Sequence, residues 1–371
     1  MIDPQELEAA GLYDRHAEDA EEQLALLRFL IEQGASLEEM VDARRRGRLA
    51  GLAGDRVIRP GREHLTLAEV ANRAGIPFDF GERVWRASGF AHPPADARIF
   101  DETDVDTFRL FTAAAALMGE DVAMQLARVI SSALARVAEA VFSAVSVSLD
   151  APVIEAGANP LEAARTSAAT GALLPQLSAA VDNLLRHHLE LVNNRRFELA
   201  FPAPGSETAD LAIGFADLAG STALAERLST SELAAALADF EARSSGIIGD
   251  HGGRVVKLIG DEVMFVADEA GAGAEILLAL LDAFAAHEVL PPLRGGLAAG
   301  EVLARDGDYY GPIVNLAARA VGLAETNTAV VTDAVKQRLD HAGSDYRFVT
   351  RGRHRLKGIA GETPLWIVRR M

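Results

Sequence analysis

Arg254-Val255-Val256-Lys257-Leu258-Ile259-Gly260-Asp261-Glu262-Val263-Met264-Phe265-Val266-Ala267 is two β-branched-rich runs, Arg254 to Ile259 and Val263 to Ala267, around a Gly-Asp turn. That pattern predicts a β-hairpin. Upstream of it lie a strand over Leu211 to Phe215 and two helices to about Asp250. Downstream, the pattern predicts a helix from about Ala270 to His287, a strand from Leu293 to Leu303 and a helix from about Ile313 to Ala324. Further strands are expected near Ala329 to Thr332, Tyr346 to Thr350 and Leu365 to Val368. The order β-α-α-β-β-α-β-α-β-β-β reads as an α+β sheet with helices on one face and a ferredoxin-like core.

From residue 1 to about 200 the texture is helical instead, with apolar residues at three- and four-residue spacing in Leu24, Leu27 and Ile31 and again from Phe108 to Val147. Gly and Pro clusters interrupt it over Gly51 to Gly61, His92 to Pro94, Ala151 to Pro160 and Phe201 to Gly205. The last is the expected boundary between an all-helical domain over residues 1–200 and the α+β domain over 206–371. A length of 371 residues accommodates two such domains.

Composition narrows the chemistry. With no cysteine, disulfides, thiolate metal sites and thiol redox catalysis are impossible, so any metal must sit on carboxylates, imidazoles or carbonyl oxygens. The 36 basic and 54 acidic residues give a net charge of −18, which disfavours general nucleic-acid binding. Apolar runs such as Ala113 to Met118 and Ile276 to Leu281 are too short to span a bilayer, and the start of the chain does not read as a signal peptide. A cytoplasmic, soluble protein is expected.

Three segments carry candidate chemistry. Phe215-Ala216-Asp217-Leu218-Ala219-Gly220-Ser221-Thr222 puts a carboxylate at a strand end before a small turn and a helix start. Asp217 there either holds a divalent cation beside an anion-binding turn or caps the helix. Lys257-Leu258-Ile259-Gly260-Asp261-Glu262 places Asp261 at the hairpin tip, as a metal ligand or as turn punctuation. Two acids on neighbouring strand ends suit the paired metals of in-line phosphoryl displacement. In Asp308-Tyr309-Tyr310-Gly311-Pro312-Ile313-Val314-Asn315-Leu316-Ala317-Ala318-Arg319, the amide of Asn315 and the guanidinium of Arg319 lie four apart on one helical face.

Together these segments resemble the class III nucleotidyl cyclases, the universal adenylyl cyclase family, over about Ala209 to Met371. The resemblance implies Asp217 and Asp261 as ligands of two divalent cations, Mg²⁺ or Mn²⁺. It implies Lys257 and Asp308 as adenine selectors, and Asn315 and Arg319 as the transition-state pair. The run Gly352-Arg353-His354-Arg355-Leu356-Lys357-Gly358 also matches the family pattern and implies Lys357 as a triphosphate contact. Adenine presents an acceptor at N1 and an amino donor at N6, which a lysine and an aspartate complement, whereas guanine reverses the pattern. ATP is therefore the expected substrate, and a homodimer with shared sites the implied assembly. Ile259-Gly260-Asp261-Glu262 also resembles the acidic motif of dinucleotide-forming cyclases, but that family has Gly-Gly where this chain has Ile-Gly.

Leu65 to Ile76 reads as a helix and Gly turn leading to a second element that ends at Trp85, and the segment over about 65–100 resembles the helix-turn-helix of mercury-resistance-type regulators. Asp79 and Glu82 beside Arg83 and Arg86 favour a reused packing module over DNA binding. The alternative function is a DNA-binding regulator with a nucleotide-sensing, catalytically weak cyclase domain. The Ala-, Leu- and Val-rich stretch from Phe108 to Val147 reads as dimer or domain core, with room for an apolar ligand between its helices. A linker helix over about 174–197 carries His187 and His188, the latter on a stripe with Leu184, Leu185, Leu191 and Val192. His188 is either a core imidazole or a proton sensor. In the second case an imidazole in an apolar seam resists charging, acid favours the state that exposes it, and activity rises on acidification.

Overall fold

The computed structural model describes residues 3–58, 65–145, 159–198, 208–343, 345–359 and 361–371. The chain divides into two compact units, Met1–Arg195 and Arg196–Met371. The expected boundary at Phe201 to Gly205, most of the break from Ala151 to Pro160 and the end of the run to Val147 lie outside the described residues.

The first unit is helical: α1 (Pro4–Ala9), α2 (Ala20–Glu32), α3 (Leu37–Arg45), α4 (Leu52–Ile58), α5 (Leu67–Ala74), α6 (Phe78–Ala87), α7 (Glu102–Met118), α8 (Glu120–Val145), α9 (Pro160–Gly171) and α10 (Leu174–Glu198). Capping boxes start α3, α5 and α7, where Ser36, Thr66 and Asp101 pair reciprocally with Glu39, Glu69 and Asp104 and satisfy first-turn amides. Leu27, Leu30, Met40, Ala53 and Ala164 form one core from α2, α3, α4 and α9. Val70, Val84, Phe100, Phe108 and Ala127 form a second from α5 to α8. Gly119 separates α7 from α8, so the run from Phe108 is two helices rather than one. The helix-turn-helix-like pair is α5 and α6, and Arg83 on the second helix is ion-paired with Glu120.

The second unit runs β1 (Thr208–Leu218), α11 (Ser221–Arg227), α12 (Thr230–Asp250), β2 (Arg254–Ile259), β3 (Glu262–Ala267), α13 (Ala270–Phe284), β4 (Leu293–Arg305), β5 (Asp308–Tyr310), α14 (Pro312–Val321), β6 (Ala329–Thr332), α15 (Asp333–His341), β7 (Tyr346–His354) and β8 (Thr363–Arg370). The sheet order is β2-β3-β1-β4-β6-β8-β7, with β5 paired to β4. Only β4 and β6 run parallel. The segment from β1 to β4 is the βαββαβ ferredoxin-like core. The sequence pattern missed β5, which spans three residues, and α15, which follows β6 with no break between them.

The helices do not share one face. Ala212, Ala216 and Leu218 of β1 pack with α12, α13 and α15, while Leu211, Ile213 and Phe215 pack on the other face with Ala317 and Val321 of α14. Both parities of β1 are apolar, so both faces need cover. α14 approaches β4 at Gly296, where a Cβ would lie 2.6 Å from the Ala317 carbonyl oxygen and 2.6 Å from the Val321 amide nitrogen. Backbone cannot yield as a side chain does. Gly296→Ala should lift α14 off the sheet at a cost of about 1–3 kcal/mol. Thermal melting should show the lower midpoint, and because α14 carries Asn315 and Arg319, turnover should fall on the order of tenfold to a hundredfold. An unchanged melting point would mean the helix moves freely there.

Candidate active site

β1, the β2–β3 hairpin and β4 bring Asp217, Asp261, Glu262 and Arg294 to one end of the sheet. Asp217 of β1 stands opposite Glu262 of β3 on one side and Arg294 of β4 on the other, so the three form a row across neighbouring strands. The hairpin tip is tied in separately: the Leu218 amide donates to the Asp261 carbonyl at 3.1 Å, and Gly260 turns the chain with φ +64°. Asp217 and Asp261 are thereby close neighbours. Arg294 donates to Asp217 Oδ2 from Nε at 2.9 Å and from Nη2 at 2.5 Å.

Asp217 does not cap the following helix. Gly220 occupies that position without a side-chain cap, and the Ala219 amide donates to the Pro292 carbonyl at 3.0 Å. Ala219, Gly220, Arg294 and Glu325 line a cleft of about 690 Å³ beside the turn. Burial pushes the Asp217 carboxyl above the usual carboxylate range; the Arg294 guanidinium opposes the shift and the Asp261 carboxylate adds to it. Glu262 is pushed up too, first by burial and then by Asp217 and Asp261. The residues present fit a hard divalent cation. No group of three His, Asp or Glu able to hold a metal occurs among the described residues. Two carboxylates completed by substrate phosphates are nonetheless a usual Mg²⁺ donor set.

Lys257 reaches the site through a β-bulge. Val255 pairs with Phe265 and Lys257 with Met264, leaving Val256 as the extra residue. The bulge aligns Lys257 with Met264, on the face that β5 and α14 cover, where strict alternation would align it with Val263 on the opposite face. Its Nζ donates to Asp308 Oδ2 at 2.5 Å, and the Tyr309 amide donates to Asp308 Oδ1 at 2.8 Å. The ion pair is 40% and 25% exposed, so it contributes no more than about 1 kcal/mol and is exchangeable.

Asn315 and Arg319 lie on the exposed side of α14, opposite the buried Ala317 and Ala320. Lys357 is exposed in the β7–β8 connection. His187 and His188 lie in the first unit on α10, exposed along with Leu184, Leu185, Leu191 and Val192; no described side chain of the single chain closes that stripe. Sequence reasoning missed Arg294 and Glu262. Their only signal was their place at strand starts, because partnership with Asp217 depends on register.

Residues 5–192 match the family described as adenylate cyclase regulatory domain, and residues 204–369 the family described as adenylate and guanylate cyclase catalytic domain. An adenylate cyclase of Streptomyces coelicolor is 35% identical over 275 residues, covering 73% of this chain and 70% of that protein. The pH-sensitive adenylate cyclase MT1302 of Mycobacterium tuberculosis is 28% identical over 370 residues, covering 94% and 88%. Among solved structures, the adenylyl cyclase CyaB from P. aeruginosa is similar with TM-score 0.39 at 21% identity, covering 44% of this chain and 95% of that one.

The raised carboxyls have a measurable consequence. A carboxyl whose folded-state pKa exceeds its unfolded value contributes stability that is complete below the unfolded value, about pH 4, and is lost as pH rises through the folded one. Asp217→Asn should therefore raise the melting temperature of the metal-free protein at pH 7.5, with the gain vanishing near pH 4. The same variant should lose most of the stabilisation that Mn²⁺ gives the unaltered chain. A lower melting temperature at pH 7.5 would show that the lost Arg294 pairing outweighs the relief of burial and repulsion.

Proposed function

This chain belongs to the adenylate and guanylate cyclase family and is an adenylate cyclase, and we propose that it converts ATP to 3′,5′-cyclic AMP and pyrophosphate by a two-metal mechanism at sites shared across a homodimer. The observation that carries the reading is the convergence of Asp217 and Asp261 beside Arg294, with Lys257 and Asp308 paired on the same unit. Asp217 and Asp261 would hold two Mg²⁺ or Mn²⁺ ions together with the substrate phosphates, and the positive charge of those ions would lower the pKa of the ribose 3′-OH and neutralise the departing pyrophosphate.

Arg294, freed from Asp217 when that carboxylate ligates a cation, would donate to a phosphate oxygen instead. Lys257 donates to adenine N1 while Asp308 accepts from N6, each giving up the other to do so. Asn315 orients the ribose, Arg319 stabilises charge developing on the α-phosphoryl oxygens, and Lys357 contacts the triphosphate. An anion at the turn would meet amides from Gly220 onward, since those of Leu218 and Ala219 are engaged. No protein base is assigned to the 3′-OH.

The full chain incubated with Mn²⁺ and either ATP or GTP should yield cyclic AMP and little cyclic GMP by chromatography. Asp217→Ala or Asp261→Ala should reduce turnover to background; retained activity at saturating metal would overturn the ligand assignment. Replacing Lys257 and Asp308 together should mainly erode base selectivity, and an unaltered ATP preference would place the selectors elsewhere. Asp217→Ala chains mixed with Asn315→Ala chains should regain activity, because a heterodimer rebuilds one intact site. Verified heterodimers without activity would argue for sites built within one chain.

The helical unit is read as the regulator of this activity, with His188 as the residue through which acid acts. Imidazole is the side chain whose charge changes nearest neutral pH. The full chain should gain activity on acidification and His188→Leu should lose that response; superimposable pH–activity profiles would remove His188 from the mechanism.

A further inference from the structure

β2 directs two cations toward β5. Arg254 pairs in register with Val266 and Lys257 with Met264, both on the face that α14 covers. Three residues apart on a regular strand, Arg254 and Lys257 would point to opposite faces, and the extra residue at Val256 brings them to the same one. Lys257 reaches Asp308 there. Arg254 reaches the next residue of β5, its Nη2 donating to the Tyr309 hydroxyl at 3.4 Å, while its Nη1 donates to Asp268 at 2.9 Å. The Arg254 and Asp268 side chains are 23% and 27% exposed, so the guanidinium is mostly covered, balanced in charge and fixed by a charge-assisted bond. Tyr309 packs on the apolar cluster that also takes Val256, Ile313 and Val314.

We infer that Arg254 is a positioning residue for base recognition: by holding the Tyr309 side chain, it keeps Asp308 within reach of the adenine 6-amino group after Lys257 has let go. The inference rests on the adenine roles proposed for Lys257 and Asp308. β5 is three residues long and is paired to β4 through those three, so few backbone bonds fix it. Side chains join it to β2 twice, through Lys257 to Asp308 and through Arg254 to Tyr309. Adenine binding gives up the first tie, because both of its groups turn to the base. The second tie uses no group that meets the base, so it survives. The Tyr309 amide holds Asp308 Oδ1 at 2.8 Å, so fixing Tyr309 from its hydroxyl end also steadies the carboxylate whose Oδ2 is left for N6.

Purine riboside triphosphate keeps the N1 acceptor of ATP and lacks the 6-amino group. A residue that acts through Asp308 matters for ATP and not for this analogue, whereas general damage to the site affects both. Full-length Tyr309→Phe keeps the packed ring and removes the hydroxyl alone. It should lower kcat/KM for ATP about fivefold, the scale of one lost hydrogen bond, through KM rather than kcat and with little change for the analogue. Arg254→Met should do the same. Combining the two should cost no more than the larger single loss, because both remove one bond. Equal losses for ATP and the analogue, losses that add in the double variant, or an unchanged KM for ATP in Tyr309→Phe would each overturn the positioning role and leave Lys257 and Asp308 as selectors. If the unaltered chain handles ATP and the analogue alike, Asp308 does not read the 6-amino group, and the adenine reading falls together with the inference. Should Arg254→Met fail to fold, the two nucleotides compared on Tyr309→Phe still decide the matter.

Discussion

The catalytic unit is organised around carboxylates held close together. Register sets Asp217 against Glu262, and the Leu218-to-Asp261 backbone bond draws the hairpin tip to the end of β1. Three acids then crowd a partly buried corner. Burial and neighbouring negative charge oppose the ionisation of Asp217 and Glu262, and Arg294 on the next strand offsets part of that cost. The arrangement persists because the sheet imposes it. Eleven registered pairs of β1 with β4, along with the βαββαβ core, outweigh one unfavourable corner.

The sheet is covered on both sides. The row Glu262–Asp217–Arg294 lies at the edge of the face bearing Phe215, Met264 and Ala298. α14 covers that face because Gly296 lets it sit close to β4, directing Asn315 and Arg319 outward from Ala317 and Ala320. On the opposite face α12, α13 and α15 form the larger core and carry none of the proposed site residues. Packing and chemistry are thus divided between the faces.

Much of this was legible in the sequence for local reasons. The hairpin showed itself in β-branched runs around Gly260-Asp261, and α13 in its apolar period. Local patterns carry no register, so they could not pair Arg294 or Glu262 with Asp217. Nor could alternation place Lys257, because the bulge at Val256 shifts its phase by one residue; the adjacent valines were the only sign. β5 spans three residues, too few for a period, yet it holds Asp308. The helix placement was misread although β1 and β4 are apolar at both parities, a pattern that calls for cover on two sides. In the helical unit the period identified α7 and α8 as helical but ran them together across Gly119, and it showed the stripe on α10 without showing what covers it.

On the proposed mechanism, substrate entry would be a change of partners. Lys257 and Asp308 neutralise each other, as do Arg294 and Asp217, and every one of these groups has a proposed role with ATP. ATP with two divalent cations would bring charges of both signs: the acids would pass to the cations, Arg294 to the phosphates, and Lys257 and Asp308 to adenine with one complementary bond for each. Guanine breaks the Lys257–Asp308 pair but returns a donor to the lysine and an acceptor to the aspartate, leaving both unmatched. Preference for ATP on this reading depends less on the strength of the adenine contacts than on the exchangeability of the ion pair they replace. A pair that is partly exposed and individually weak lets a complementary base displace it at small cost, while a mismatched base bears the full desolvation of two charged groups.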